Sequence, residues 1–245
     1  MRQRVEPSIT EVSDPRALHE LAELFATIWG VPGELPLDPS TLRALSHSGN
    51  YVAGAYSDDQ LVGGLIGWLG GHPTHDLHLH SHILGVLPET AARGVGFALK
   101  QHQRSWCMAR GVKSIQWTFD PLVRRNAYFN LVKLGAGAVE YLIDFYGTMD
   151  DGINAGDSSD RVLVSWELGA VRATAAAAGH PLAPRPGPGA LLVPVPDDIV
   201  AIRRNDPALA RRWRQEVRDA LGGAMSRGYR ITGFSRGFEY VLARG

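Results

Sequence analysis

The chain has 245 residues, 44% of them hydrophobic and 20% charged, enough to bury one substantial core or one core with a small appendage. Lysine plus arginine and aspartate plus glutamate both number 25, so no global field favours nucleic acid or an anionic membrane, and an anionic ligand has to be held locally. A single cysteine, Cys107, excludes an intramolecular disulfide framework and a multi-cysteine zinc site.

Two amphipathic helices are predicted first, Asp14 to Trp29 with Leu18, Leu21, Leu24 and Phe25 on one face, and Asp38 to Ser46 with Asp38 as N-cap. Tyr51 to Tyr56 and Gln60 to Leu69 read as a hairpin across the turn-forming Ser57-Asp58-Asp59. A third strand, Leu77 to Leu87, places Leu77, Leu79 and Ile83 on one face and is closed by Pro88. A helix from Gly94 to Arg110 follows, ended by Gly111, then a strand at Ser114 to Phe119 and a helix from Arg124 to Leu134 ended by Gly135.

Strands at Val139 to Tyr146 and Arg161 to Trp166 flank a polar loop, Asp150 to Asp160. The Pro- and Gly-rich stretch HPLAPRPGPG reads as a linker. Beyond it come a strand (Leu191 to Val195), a helix (Pro207 to Met225) and a hairpin (Tyr229 to Leu242). The expected class is α/β of the mixed α+β kind, divided into a catalytic domain at 1–168, a linker at 169–189 and a small αβ extension packed on the core at 190–245. Neither a signal peptide nor a membrane span is expected, and the setting is read as cytoplasmic.

The chemistry concentrates in GVLPETAARGVGFALK. A strand ends at Val86 and Pro88, a short loop follows, and Gly94 and Gly96 open a helix whose first amides lack internal partners and suit phosphate oxygens. A Rossmann site would want a third glycine where Leu99 stands, and a P-loop would want a Gly-Lys-Ser/Thr that is absent.

The run V-x-P followed by R-G-x-G, whose Gly94 stands six residues beyond Pro88, resembles the acyl-CoA loop of the GNAT (Gcn5-related N-acetyltransferase) superfamily. Arg93, Gly94 and Gly96 match, while Ala91 occupies the position that usually carries Gln or Arg. The resemblance implies a splayed mixed sheet and binding of acyl-CoA by Gly85, Val86, Leu87, Arg93, Gly94, Val95 and Gly96, with no metal. Asn126 and Asn130, four apart on one helix, are candidate pantetheine or diphosphate ligands or plain surface residues. The superfamily's tyrosine acid would fall at Leu131, so Tyr128, one turn away, is the candidate acid. WTFDPL, Asn126 to Gly135 and YGTMDDGINAGDSSDR further resemble a GNAT group associated with N-acylamino-acid racemases, which implies acetyl or succinyl transfer to a small-molecule amine such as an amino acid.

His72, His75, His78, His80 and His82 are the densest ionisable cluster, with the last three on one strand face at period two. They can clamp a metal, line a groove or face solvent; a metal-free base role is preferred, with His80 and His82 first and Asp120 next. Asp120 before Pro121 is equally ordinary helix-start chemistry. Arg124, Arg125 and Arg161 are candidate partners for a substrate carboxylate, Arg161 foremost, or plain solvated cations. Cys107 reads as core. A non-catalytic acyl-CoA sensor is the rival reading, and the sequence leaves a homodimer open.

Overall fold

The computed structural model describes residues 7–29, 35–72, 75–91, 94–147 and 157–245, with the side chains of residues 72, 75 and 76 left aside. They fall into two compact units, residues 1–115 and 116–245.

The first unit is built on four strands, β1 (Ser8–Glu11), β2 (Tyr51–Ser57), β3 (Gln60–His72) and β4 (His75–Val86), adjacent in that order and antiparallel throughout. Helices α1 (Pro15–Trp29) and α2 (Pro39–His47) cover one face. Asp38 caps α2, its side chain accepting from Ser40 N, as the sequence predicts. Leu18, Leu21, Phe25, Leu42, Val52 and Ile66 fill the core beneath them. Helix α3 (Val95–Ala109) lies on the opposite face through Val95, Leu99, Trp106 and Cys107. Glycine permits the close approach of α1: a Cβ on Gly64 would collide with Leu21 Cδ1, and one on Gly85 would sit 2.7 Å from Ile28 Cδ1.

Strand β4 departs from the expected alternation. Ile66 pairs with Ile83 and Gly67 with Ser81, which leaves His82 as an extra residue, a β-bulge. The bulge reverses the parity of the strand. Ser81 therefore points to α3, and Leu79 lies beside Gly67 and Gln103 on that side, whereas Ile83, Gly85 and Leu87 pack toward α1. Leu77, Leu79 and Ile83 accordingly do not share a face, and Leu77 is exposed.

In the second unit β5 (Ser114–Phe119), which begins at the unit boundary, neighbours β7 (Arg161–Glu167), and β7 pairs antiparallel with β6 (Gly137–Leu142). Between β5 and β6, helix α4 (Arg124–Tyr128) runs on into a π-helical turn, Phe129–Lys133. Helix α5 (Val171–Ala177) occupies the first part of the expected linker, because its alanines favour helix until Gly179 ends it with φ +82°. A second sheet joins β8 (Leu191–Pro194), β10 (Glu239–Arg244) and β9 (Tyr229–Phe234). Helix α6 (Ile199–Asn205), which the hydrophobic pattern did not predict, and α7 (Pro207–Val217) are each capped by an aspartate, Asp198 and Asp206. A π-helical turn at Arg218–Gly222 joins α7 to α8 (Gly223–Ser226), where one continuous helix was expected. The mixed α/β class is as the sequence suggests.

Candidate active site

Strand β4 stops where Pro88 removes a backbone donor, and a tight turn follows in which Thr90 N (2.9 Å) and Oγ1 (3.0 Å) both donate to Leu87 O. Gly94 then opens α3 with φ +85°, a left-handed conformation that only glycine adopts cheaply. The first helical bond runs from Ala98 N to Gly94 O at 3.0 Å, and no side chain caps the end. The amides of Val95, Gly96 and Phe97 therefore have no partner within the helix. Among the described residues, a Cβ on Gly94 would meet no atom within 4 Å, so the space beside the helix start is open there. A pyrophosphate fits this cradle: uncommitted donors, the positive end of a 15-residue helix, and no side chain on the two glycines. Val95 contributes only its amide, its side chain being buried. Arg93 lies outside the described residues.

The amides of β4 are not equivalent. Leu87 N donates to Val62 O at 2.9 Å, and the antiparallel alternation directs Gly85 N to Gly64 in the same way. Gly85 and Leu87 are thus committed to β3. Of the three amides, the one of Val86 points away from it.

On the α1 side of β4, Trp68 gathers two of the predicted histidines. Its ring centroid lies 5.1 Å from that of His80 and 4.5 Å from that of His82. Burial, with His82, His78 and Lys100 nearby, pulls His80 down to about 4, so it is neutral at ordinary pH. His82 is exposed at its edge, and shielding by its neighbours lowers its pKa too. His78 is half-buried, and its Nδ1 has no hydrogen-bond partner among the described residues. The side chains of His72 and His75 lie outside the described residues. Among the described residues no three His, Cys, Asp or Glu side chains are grouped to hold a metal.

Several candidates in the second unit have other duties. Asp120 is buried and takes a bidentate pair from Arg214, Nη1 to Oδ1 at 2.9 Å and Nη2 to Oδ2 at 3.1 Å, with Arg203 on Oδ2. Burial alone would raise its pKa, but Arg214 and Arg203 outweigh that and hold it at about 2. A carboxylate so placed cannot act as a base near neutrality, which corrects that expectation. Arg203 and Arg214 also bind Asp157, and Arg218 binds Asp160.

Arg161 is buried, donates to Asp160 O at 2.9 Å and lies over the Tyr146 ring. Arg124 pairs with Asp197 at 2.6 Å and stacks on Phe238. Neither presents an open guanidinium, contrary to their expected substrate role, whereas Arg125 is exposed. Asn130 is buried and accepts from Trp117 Nε1 at 3.3 Å, so it is not a ligand-facing residue; Asn126 is half-buried. Leu131 is core, and Tyr128 is half-buried at the end of α4. Residues 150–156 of the polar loop lie outside the described residues.

Sequence reasoning missed Trp68, whose role depends on strand register, and Lys100. A lysine on the α3 stripe that carries Gln103 and Cys107 was the available signal for the latter.

Residues 18–131 match the family model described as acetyltransferase (GNAT) family. A comparison with curated proteins gives no match. Among solved structures, Naa50 of Arabidopsis thaliana in complex with a CoA-containing bisubstrate analogue is 20% identical, with 66% of this chain and 98% of that one covered at a TM-score of 0.53. The NatC complex bound to Gag peptide and CoA is 14% identical, covering 67% and 99% at 0.51. An aminoglycoside 6'-acetyltransferase type Ii is 19% identical, covering 64% and 95% at 0.50. These likenesses establish the fold. The chain therefore has the GNAT fold, with residues 18–131 carrying the match to the acetyltransferase (GNAT) family.

Proposed function

We propose that this chain transfers an acyl group, acetyl or succinyl, directly from acyl-CoA to the amine of a small molecule, with an amino acid as the finer assignment of the acceptor. The observation that carries the reading is the uncapped N-terminus of α3 behind a left-handed Gly94 at the end of β4. Naa50 with its CoA-containing analogue and NatC with CoA support the same donor class here.

The cradle fixes the pyrophosphate, and the Val86 amide donates to the oxygen on which negative charge develops. The amine must lose a proton before it attacks the thioester. Of the two histidines on Trp68, His82 is the better acceptor for it, since His80 is too weak a base at about 4.

A succinyl tail or an amino-acid carboxylate would need a guanidinium on leaving water. Arg124 and Arg161 are engaged within the protein, which favours acetyl-CoA as donor.

Thiol release from acetyl-CoA and succinyl-CoA across a panel of amines and amino acids tests the proposal. Turnover with acetyl-CoA at least about tenfold above succinyl-CoA is expected. Preference for succinyl-CoA would return Arg161 to consideration, and CoA binding without thiol release from any donor would leave a sensor.

The pH dependence follows from His82. Its neutral form is the active one and its pKa lies below the ordinary value of 6.5, so kcat/KM is expected to fall as pH drops below that value. His82→Ala should lower the rate about 100-fold and abolish this limb. An unchanged limb would place the base elsewhere.

A further inference from the structure

We infer that Lys100 is a positioning residue for the reaction: through Ser81 Oγ it holds the β4 bulge that seats the His80 and His82 rings on Trp68. The inference rests on the proposal that His82 accepts the amine's proton.

Lys100 lies on the second turn of α3, 2% exposed, with Nζ 2.7 Å from Ser81 Oγ and 3.3 Å from Gln103 Oε1. Ser81 is the residue immediately before the extra residue, His82. Directly opposite is Gly67, where a Cβ would sit 2.8 Å from His80 O and 3.2 Å from Gln103 Nε2. One polar clamp from α3 and one bare backbone position on β3 thus enclose the bulge from two sides. On the other face of the same residues, His80 pairs directly with Trp68, and the His80 and His82 centroids are 5.8 Å apart.

Bulges re-aim the side chains of the strand that carries them, but an extra residue can slip along the ladder unless something pins it. Ser81 is the only residue of the pair whose side chain faces the interior, and Lys100 is what it meets there. An apolar side chain of the same length would fill that space without the cost of burying an amine, so the lysine's contribution is the hydrogen bond rather than packing.

The surroundings link this clamp to protonation. Of the ionisable side chains around it, His80 on β4 and Cys107 on α3 interact with Lys100; His78 and His82 flank His80, and further out the Tyr51 hydroxyl on β2 is 2.8 Å from His102 Nδ1, near Glu11 on β1, which accepts from Trp106 Nε1. Burial draws Lys100 down to about 7 and drives the Cys107 thiol up to about 12, so the lysine changes charge near neutrality while the thiol keeps its proton. A charged Lys100 in turn disfavours protonation of His80 across the strand.

The test follows the imidazole protons of His80 and His82 by NMR through a pH titration, assigned with His80→Gln and His82→Gln, in wild type, Lys100→Met, Ser81→Ala and Ser81→Thr. In Lys100→Met and Ser81→Ala the His82 pKa should move up by at least about 0.5 unit toward its ordinary value as the ring leaves Trp68. In the same variants kcat should drop about tenfold while KM for acetyl-CoA stays within about twofold, because the cradle is untouched. Ser81→Thr keeps the hydroxyl and should restore both readouts. Imidazole titrations in folded Ser81→Ala that superimpose on wild type overturn the positioning role, whether or not Lys100→Met folds. A wild type that releases no thiol overturns the acyl-transfer reading instead, and the two failures are read in separate measurements.

Discussion

Asp120→Ala is expected to lower the unfolding free energy by about 3–5 kcal/mol, because it strips the shared carboxylate from two buried guanidiniums. Arg203 and Arg214 are each less than one-tenth exposed and, among the described residues, would keep the Asp157 carboxylate between them. Urea denaturation measures the loss. Acid should produce a milder version of the same effect. The carboxyl's folded-state pKa is about 2, below the ordinary 3.8, so its contribution is complete above roughly pH 4 and is lost as pH falls through the folded value. That amounts to about 2 kcal/mol across the window. If the variant instead kept wild-type stability and lost turnover near neutrality, Asp120 would be a base after all.

Gly94→Val is expected to weaken CoA binding at least about tenfold, or 1.4 kcal/mol, while leaving the chain folded. Two effects combine. The residue holds φ +85°, where a β-branched side chain is strained by about 1–2 kcal/mol, so the helix start shifts or the strain is borne locally. Its Cβ would enter space free of other described protein atoms at the start of α3, so the obstruction falls on a ligand bound there rather than on the fold. Gly94→Asn separates the two contributions, because asparagine tolerates the left-handed region yet still places a side chain in the cradle. Calorimetric CoA titration of both variants, with urea denaturation beside it, checks the expectation. A folded Gly94→Val with wild-type affinity would remove the cradle as the binding site.

What the sequence by itself determined is what depends on neighbours along the chain. The end of β4 at Pro88, the left-handed start at Gly94, the capped start of α2 at Asp38 and the hairpin between β2 and β3 all follow from backbone chemistry within a few residues. The cradle was legible for this reason, since a strand end, two glycines and a helix start are contiguous. Only the tertiary structure decided the fate of residues whose partners are remote. Asp120 looked like a strand-end base until Arg203 and Arg214, 83 and 94 residues further on, came to lie against it. Arg161 looked like a substrate ligand until burial and the Asp160 carbonyl claimed it. The bulge at His82 is invisible in an alternation count, because it exists only as a mismatch between two strands, yet it sets which of β4's side chains meet Trp68 and which meet Lys100. Local conformation is written in residue type, whereas the charge state and direction of a side chain are set by whatever long-range packing brings beside it.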